Sequence, residues 1–210
     1  MSSSTLDAFA GLMDSVDQLI EIHGQVQTGQ GRRHRKEAIH RAGVVIIVAA
    51  WQAYVEKLGL ECLEIIEQKL DEPNNPSWVK ASFKFRKPAI LKTIGDLNTP
   101  NSQNVQRLFD WSFGFDPKPH WAWNSHGRVW APQFFCDRTD QWLRIRHTIA
   151  HGNVLPNNLT WIKGPNGQAR LTLNLLRECE RHFWKLATLT DDAMRAFLID
   201  QYGIVNPWDE

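Results

Sequence analysis

Arg144, Arg146, His147 and His151 place four cationic or protonatable groups within eight residues. A guanidinium presents a rigid fork of donors that matches phosphate oxygens. An imidazole exchanges its proton near neutral pH. Together such groups suit work on a phosphate, with one holding developing negative charge while others move protons. Their spacing decides which of them meet. His147 and His151 are i, i+4 and Arg144 and His147 are i, i+3, so each pair shares a helix face. Arg146 and His151 are five apart and diverge by roughly 140° on an undistorted helix. They converge only if the helix ends at His151 or if the partner groups come from another chain. The same four residues would also serve as a solvated helix face whose cations complement the dipole.

The element that carries them reads as the end of an amphipathic helix. Trp142, Ile145 and Ile149 recur at helical spacing and are expected to face a core. Gly152 supplies the residue that most easily takes the left-handed conformation ending a helix, which puts His151 at the C-terminus. Asp137 or Thr139 is the expected cap at the other end.

The string from Arg146 to Gly152, Arg-His-Thr-Ile-Ala-His-Gly, resembles the signature of the HEPN superfamily: an Arg, four to six residues, then a His, often followed by Gly. Residues 41–56 resemble that family's long apolar second helix, and the order of elements is similar too. The resemblance covers most of the chain and implies an all-α, HEPN-like helical bundle around a long central apolar helix. It implies a metal-independent endoribonuclease in which the RNA 2′-hydroxyl attacks the adjacent phosphate, leaving a cyclic phosphate and a free 5′-hydroxyl. Arg146 and His151 would be catalytic, with His147 as a second protonatable group or an orienting one. The site would be pooled across a homodimer, and the cellular role would be that of a toxin or anti-phage effector, with an antitoxin or defence-system protein as partner. Three positions depart from the family pattern. His147 stands where Asn or Asp is common, Gln52 where the apolar helix often has Glu, and Asn153 where toxins controlled by tyrosine adenylylation have Tyr. The last departure speaks against that form of control. A catalytically inactive dimer that binds nucleotide, RNA or protein is the alternative, and a plain helical dimerisation protein is a third.

Composition bounds these readings. The net charge of +1 provides no global field for nucleic acid, so RNA affinity must come from local patches. Three patches suggest themselves. Arg144 and Asn153 flank the motif. Arg32, Arg33 and Arg35 lie at the entrance to the long helix, where cations oppose the dipole. Lys84 and Arg86 are interleaved with Trp78, Phe83 and Phe85, a composition suited to base stacking and also to any helix with snorkelling lysines. Cys62, Cys136 and Cys179 match no zinc spacing and suit a reducing cytoplasm. No metal or cofactor is expected, and no signal peptide is visible at the first residues. The apolar run 42–51 is too short to span a membrane, which takes about 20 residues.

The remaining elements follow from periodicity and punctuation. Ser4 and Asp7 read as a capping box for a first helix reaching about Val26, with Leu6, Phe9, Met13, Val16, Ile20 and His23 on its inner stripe. The chain breaks over 27–31, and a long helix runs over about 35–70, bent near Gly59. Its run 42–51 is apolar on every side, implying burial all round or at a subunit interface. Glu61, Glu64 and Glu67 are expected outside. Residues 104–111 read as helix and 113–132 as irregular, with His120 and His126 as loop residues. A small β-hairpin is expected over 161–172, around the turn at 164–167. Asn174 would cap a last helix whose stripe holds Leu175, Cys179, His182 or Phe183, and Leu186. Thr190, Asp191 and Asp192 mark a break in it, unless the helix simply continues. The chain is thus expected to be one domain over 1–210, with 111–135 and 153–172 as loop or hairpin elaborations. Many of its ten Trp residues fall between Trp111 and Trp142.

Overall fold

No proline interrupts the chain between Arg32 and Leu70, and the computed structural model shows one 39-residue helix there, α2. The structure describes residues 2–25, 32–125 and 127–208, with side chains in the second segment from Lys36 onward. Around α2 stand α1 (Ser4–Gln25), α3 (Ser77–Gly95), α4 (Ser102–Phe113), α5 (Pro132–Ala150) and α6 (Leu173–Tyr202). A two-stranded antiparallel hairpin, β1 (Trp123–Ser125) and β2 (Arg128–Trp130), precedes α5. The fold is all-α with one small hairpin.

Packing against α1, α5 and α6 explains why α2 is so apolar. Trp51, Tyr54, Val55 and Leu58 are fully buried along it. Each polar tip finds a carbonyl: Trp51 Nε1 donates to Pro100 O at 2.9 Å and Tyr54 Oη to Ala187 O at 3.0 Å. The two glycines of α2 mark helix crossings. A Cβ on Gly43 would stand 2.5 Å from Leu176 Cδ1 of α6, and one on Gly59 would stand 3.2 Å from Ile94 Cδ1 of α3. α2 runs without interruption through Gly59. Residues Lys36–Leu70 are long and apolar enough, by length and composition, to cross a membrane. In this fold their inner face packs at the centre of the bundle. The expectation of burial all round does not hold: Ala42 and Ala49 are exposed and Val45 is half-buried, a strip at i, i+3, i+7 left uncovered by the other described helices.

Several helix ends are closed by residues other than those expected. At α1 the cap is Ser3, whose Oγ accepts from Leu6 N at 3.0 Å, and Ser4 and Asp7 form no capping box. Glu61, expected to be solvated, reaches across from α2 and accepts from Ser4 N at 3.0 Å and Thr5 N at 3.1 Å. A carboxylate there satisfies orphan donors and meets the positive end of the helix dipole. Glu67 pairs with Lys87 at 2.5 Å. α5 opens at Pro132, with neither Asp137 nor Thr139 as its cap, because proline at the first helical position needs no N–H partner. α6 is capped by Thr172, which accepts from Leu175 N at 3.3 Å, and not by Asn174. It continues through Thr190, Asp191 and Asp192, since Thr190 Oγ1 turns back onto Leu186 O at 2.7 Å.

The hairpin also lies elsewhere than expected. Residues 161–172 hold the end of a 3-10 turn, Thr160–Ile162, and a single bridge, Lys163 to Ala169. The strands fall inside the stretch read as irregular, where Trp123 pairs with Trp130. That stretch is anchored on α6: Trp121 is buried and donates to Thr190 Oγ1 at 3.0 Å, and Lys185 Nζ lies over the Trp123 ring. His126 lies outside the described residues.

Two buried titratable groups give the fold opposing pH dependences. His182 stacks on Phe135 with Nε2 2.9 Å from Thr139 Oγ1, and burial, reinforced by the charge of Arg138, lowers its pKa to about 3. Unfolding lets this histidine take up a proton, so its contribution to stability is lost as pH falls below about 6.5. Asp191 accepts from Ser3 N at 3.2 Å and from Ser3 Oγ, and burial raises its pKa to about 6 despite those bonds. The folded chain holds this proton more tightly than the unfolded one, so Asp191 lowers stability as pH rises from about 4 to 6. Asp191→Asn keeps a partner for Ser3 and removes the buried charge. It should raise the unfolding free energy at pH 7 by on the order of 1 kcal/mol. Denaturant melts at pH 7 and pH 4 check this, with the gain present at the first and absent at the second.

Candidate active site

α5 ends as its glycine dictates. Gly152 takes φ +67°, Asn153 N donates to Thr148 O at 2.9 Å and Gly152 N to Ile149 O at 3.1 Å. This pair of bonds is the Schellman closure, and it fixes His151 as the C-cap with φ −93° and ψ 6°. The inner face is held by Trp142 and Ile145, both fully buried, and by half-buried Ile149. Arg144, His147 and His151 are therefore turned out to solvent and Arg146 is half-buried. The two imidazoles stand one turn apart with ring centroids 4.3 Å apart and planes at 51°. Nε of Arg146 is buried and has no hydrogen-bond partner among the described residues. Nor does any hydrogen bond among them join Arg146 to His151.

The loop that follows is pinned back onto α5, which keeps the helix end in place. Trp161 Nε1 donates to Gln141 Oε1 at 2.7 Å, and its ring meets Trp142 edge-on at 4.8 Å. The Arg138 guanidinium lies 4.0 Å over the Trp161 ring, with Nη1 3.4 Å from a carboxylate oxygen of Glu178. At the loop's far end His40 Nδ1 donates to Leu171 O at 3.0 Å. Burial lowers the His40 pKa, and the His40 ring packs 4.9 Å from that of His23. Sequence reasoning misses these positioning contacts. Its only signal is the presence of Trp161 and Arg138 at unrelated positions, and their meeting is a tertiary fact.

The profile of the RiboL-PSP-HEPN family matches residues 12–195. The chain belongs to the RiboL-PSP-HEPN family. No curated protein and no solved structure matches it. In this HEPN chain Gln52 Nε2 donates to Leu97 O and to Glu56 Oε1, both at 2.9 Å. That position ties α2 to the α3–α4 connection, and its hydrogen bonds do not reach Arg146. Asn153 is exposed, with its backbone N–H committed to the helix closure.

The other basic residues fare differently. The side chains of Arg32, Arg33 and Arg35 lie outside the described residues. Lys84 and Arg86 are exposed on α3, which packs on α2 and α4, and no hydrogen bond links them to α5 among the described residues. Arg86 donates to Trp111 O at 2.8 Å and lies 5.6 Å over its ring. Two surface clefts open elsewhere, one of about 470 Å³ between α1 and α6 and one of about 570 Å³ beside α3 and α4. Neither is lined by Arg146, His147 or His151, and the two imidazoles are exposed at the end of α5. Cys62, Cys136 and Cys179 are buried free thiols. Burial pushes all three thiols up, away from the nucleophilic thiolate.

Proposed function

We propose that this HEPN chain is a metal-independent endoribonuclease whose site forms when two copies bring their α5 ends together. The observation that carries the reading is the lack of structural employment at that end. Among the described residues, the one aromatic ring against each of His147 and His151 is the other, neither side chain has a hydrogen bond, and Arg146 holds a buried Nε with no acceptor. An unpaired donor costs about 1–3 kcal/mol, and a phosphate oxygen is the kind of acceptor that this guanidinium lacks. The open position of the motif supports pooling, because one surface gives no shelter from water. The uncovered strip Ala42, Val45 and Ala49 on α2 is a further apolar face suited to a second copy.

In this reaction His151 takes the proton of the ribose 2′-hydroxyl as O2′ bonds to phosphorus. A second imidazole, His151 of the other copy or His147, gives a proton to O5′ as the P–O5′ bond breaks. Arg146 holds the charge that grows on the equatorial oxygens between these events. RNA is the substrate, with Arg144 and Asn153 beside the scissile phosphate. The cellular role is that of a toxin or anti-phage effector in the cytoplasm, restrained by a partner protein, and the buried free thiols suit that compartment.

The test is incubation of the purified chain with mixed RNA in excess chelator, followed by analysis of the product ends. The expected products carry cyclic phosphate and 5′-hydroxyl ends, at a rate the chelator leaves unchanged. Loss of activity in chelator would expose a metal requirement. A folded dimer that cuts nothing would instead support a binding module.

A further inference from the structure

The most exposed large apolar side chain among the described residues is Phe85, at 87 %, and Trp78 is 71 % exposed. Both lie on α3, seven residues apart and therefore on one line along its outer face, about 10 Å apart at 1.5 Å per residue. Lys92 continues that line by another seven residues, and Lys84 and Arg86 flank it on either side. α3 carries five cations and no acidic residue, in a chain whose net charge is only +1. Three of the five have partners among the described residues: Lys87 pairs with Glu67, Lys80 Nζ donates to Asp71 O at 2.8 Å, and Arg86 donates one N–H to Trp111 O at 2.8 Å, which leaves its other N–H groups at the surface. Exposed aromatic rings cost solvation and bring no packing at this face, and unopposed cations beside them repel one another.

We propose that the outer face of α3 is the track for single-stranded RNA, with bases stacking on Trp78 and Phe85 and phosphates met by Lys84, Arg86 and Lys92. It rests on the ribonuclease reading for the identity of the polyanion as RNA. Every base has a π-face, so a ladder of this kind holds unpaired strands with little regard to sequence. At about 3.4 Å per nucleotide, the distance from Trp78 to Phe85 takes about three stacked bases. Charge complementarity selects this occupant over a second copy, because a twofold contact through the outer face of α3 would set Lys84, Arg86 and Lys92 against the same three cations. A membrane surface fits less well. An interfacial helix needs a broad face of large apolar side chains, whereas beside Trp78 and Phe85 the exposed apolar residues of this face are the small Ala81, Pro88 and Ala89, and Phe83, Ile90 and Ile94 turn inward.

Fluorescence anisotropy tests this with a labelled single-stranded RNA of about twelve nucleotides. The full chain carries His151→Ala so that no RNA is cut during the titration. Trp78→Ala with Phe85→Ala is expected to weaken binding by about tenfold or more, with an unchanged circular dichroism spectrum, because both rings are solvent-exposed. Lys84→Gln with Lys92→Gln should reduce the slope of log affinity against log salt by about 1.4, at about 0.7 per phosphate contact. Unchanged RNA affinity in the aromatic variant overturns the proposal. So does loss, in that variant, of binding to phosphatidylserine vesicles alone. A chain that binds RNA through α3 and cleaves none leaves this inference standing and defeats only the ribonuclease reading.

Discussion

His151→Ala is expected to lower RNA cleavage by about 10²–10⁴ and to leave the melting temperature within error of the wild type. The size follows from removing a group that transfers a proton in the transition state, where no solvent base is positioned to replace it. The lack of a stability effect follows from geometry. His151 is an exposed C-cap, and the closure of α5 is made by backbone groups of Thr148, Ile149, Gly152 and Asn153, none of which the substitution removes. Its one ring partner among the described residues is His147. Single-turnover cleavage and a thermal melt on the same preparation separate the two roles. Melting that falls together with activity would show a structural histidine and end its assignment as a proton carrier. If the site is pooled, a mixture of His151→Ala and wild-type chains should lose activity in the mixed dimers as well, which titration of one chain with the other measures.

The motif helix is legible in the sequence because each of its signals is local. Gly152 announces the end, Trp142 and Ile145 define the buried side, and the polar residues between them must then face out. The divergence of Arg146 and His151 stays as the spacing implies, because His151 keeps its backbone bond and ring contact with His147 one turn back. What escapes sequence reasoning depends on which distant residues meet. Glu61 reads as one more acid on an acidic face, and only the arrival of the α1 N-terminus makes it a cap. Ser3 is a better cap than Ser4 because Asp191, 188 residues away, holds its hydroxyl. The hairpin is easily misplaced because the turn 164–167 has the stronger local chemistry, while Trp123 and Trp130 pair on a platform supplied by α6. The apolar run of α2 marks the helix as central, and carries no sign that Ala42 and Ala49 are left uncovered.

Arg146→Lys carries the second large effect, and it separates charge from shape. Lysine keeps the positive charge but has no planar fork, so it meets one phosphate oxygen where arginine meets two. Cleavage is expected to fall by about 10²–10³, the size seen when one donor to a developing anion is lost. The loss should appear in kcat more than in KM, because the fork matters most when charge gathers on the crowded phosphorane. Stability should move the other way or not at all. The wild-type side chain buries Nε without an acceptor, and replacing that atom with a methylene removes an unmet donor from the interior. A structural arginine predicts the opposite pattern, a lower melting temperature with activity falling in step with the folded fraction and KM unchanged. Steady-state kinetics beside a thermal melt therefore decides between the two. Full activity in Arg146→Lys would mean that charge alone suffices, and the guanidinium fork would lose its role on the phosphorane.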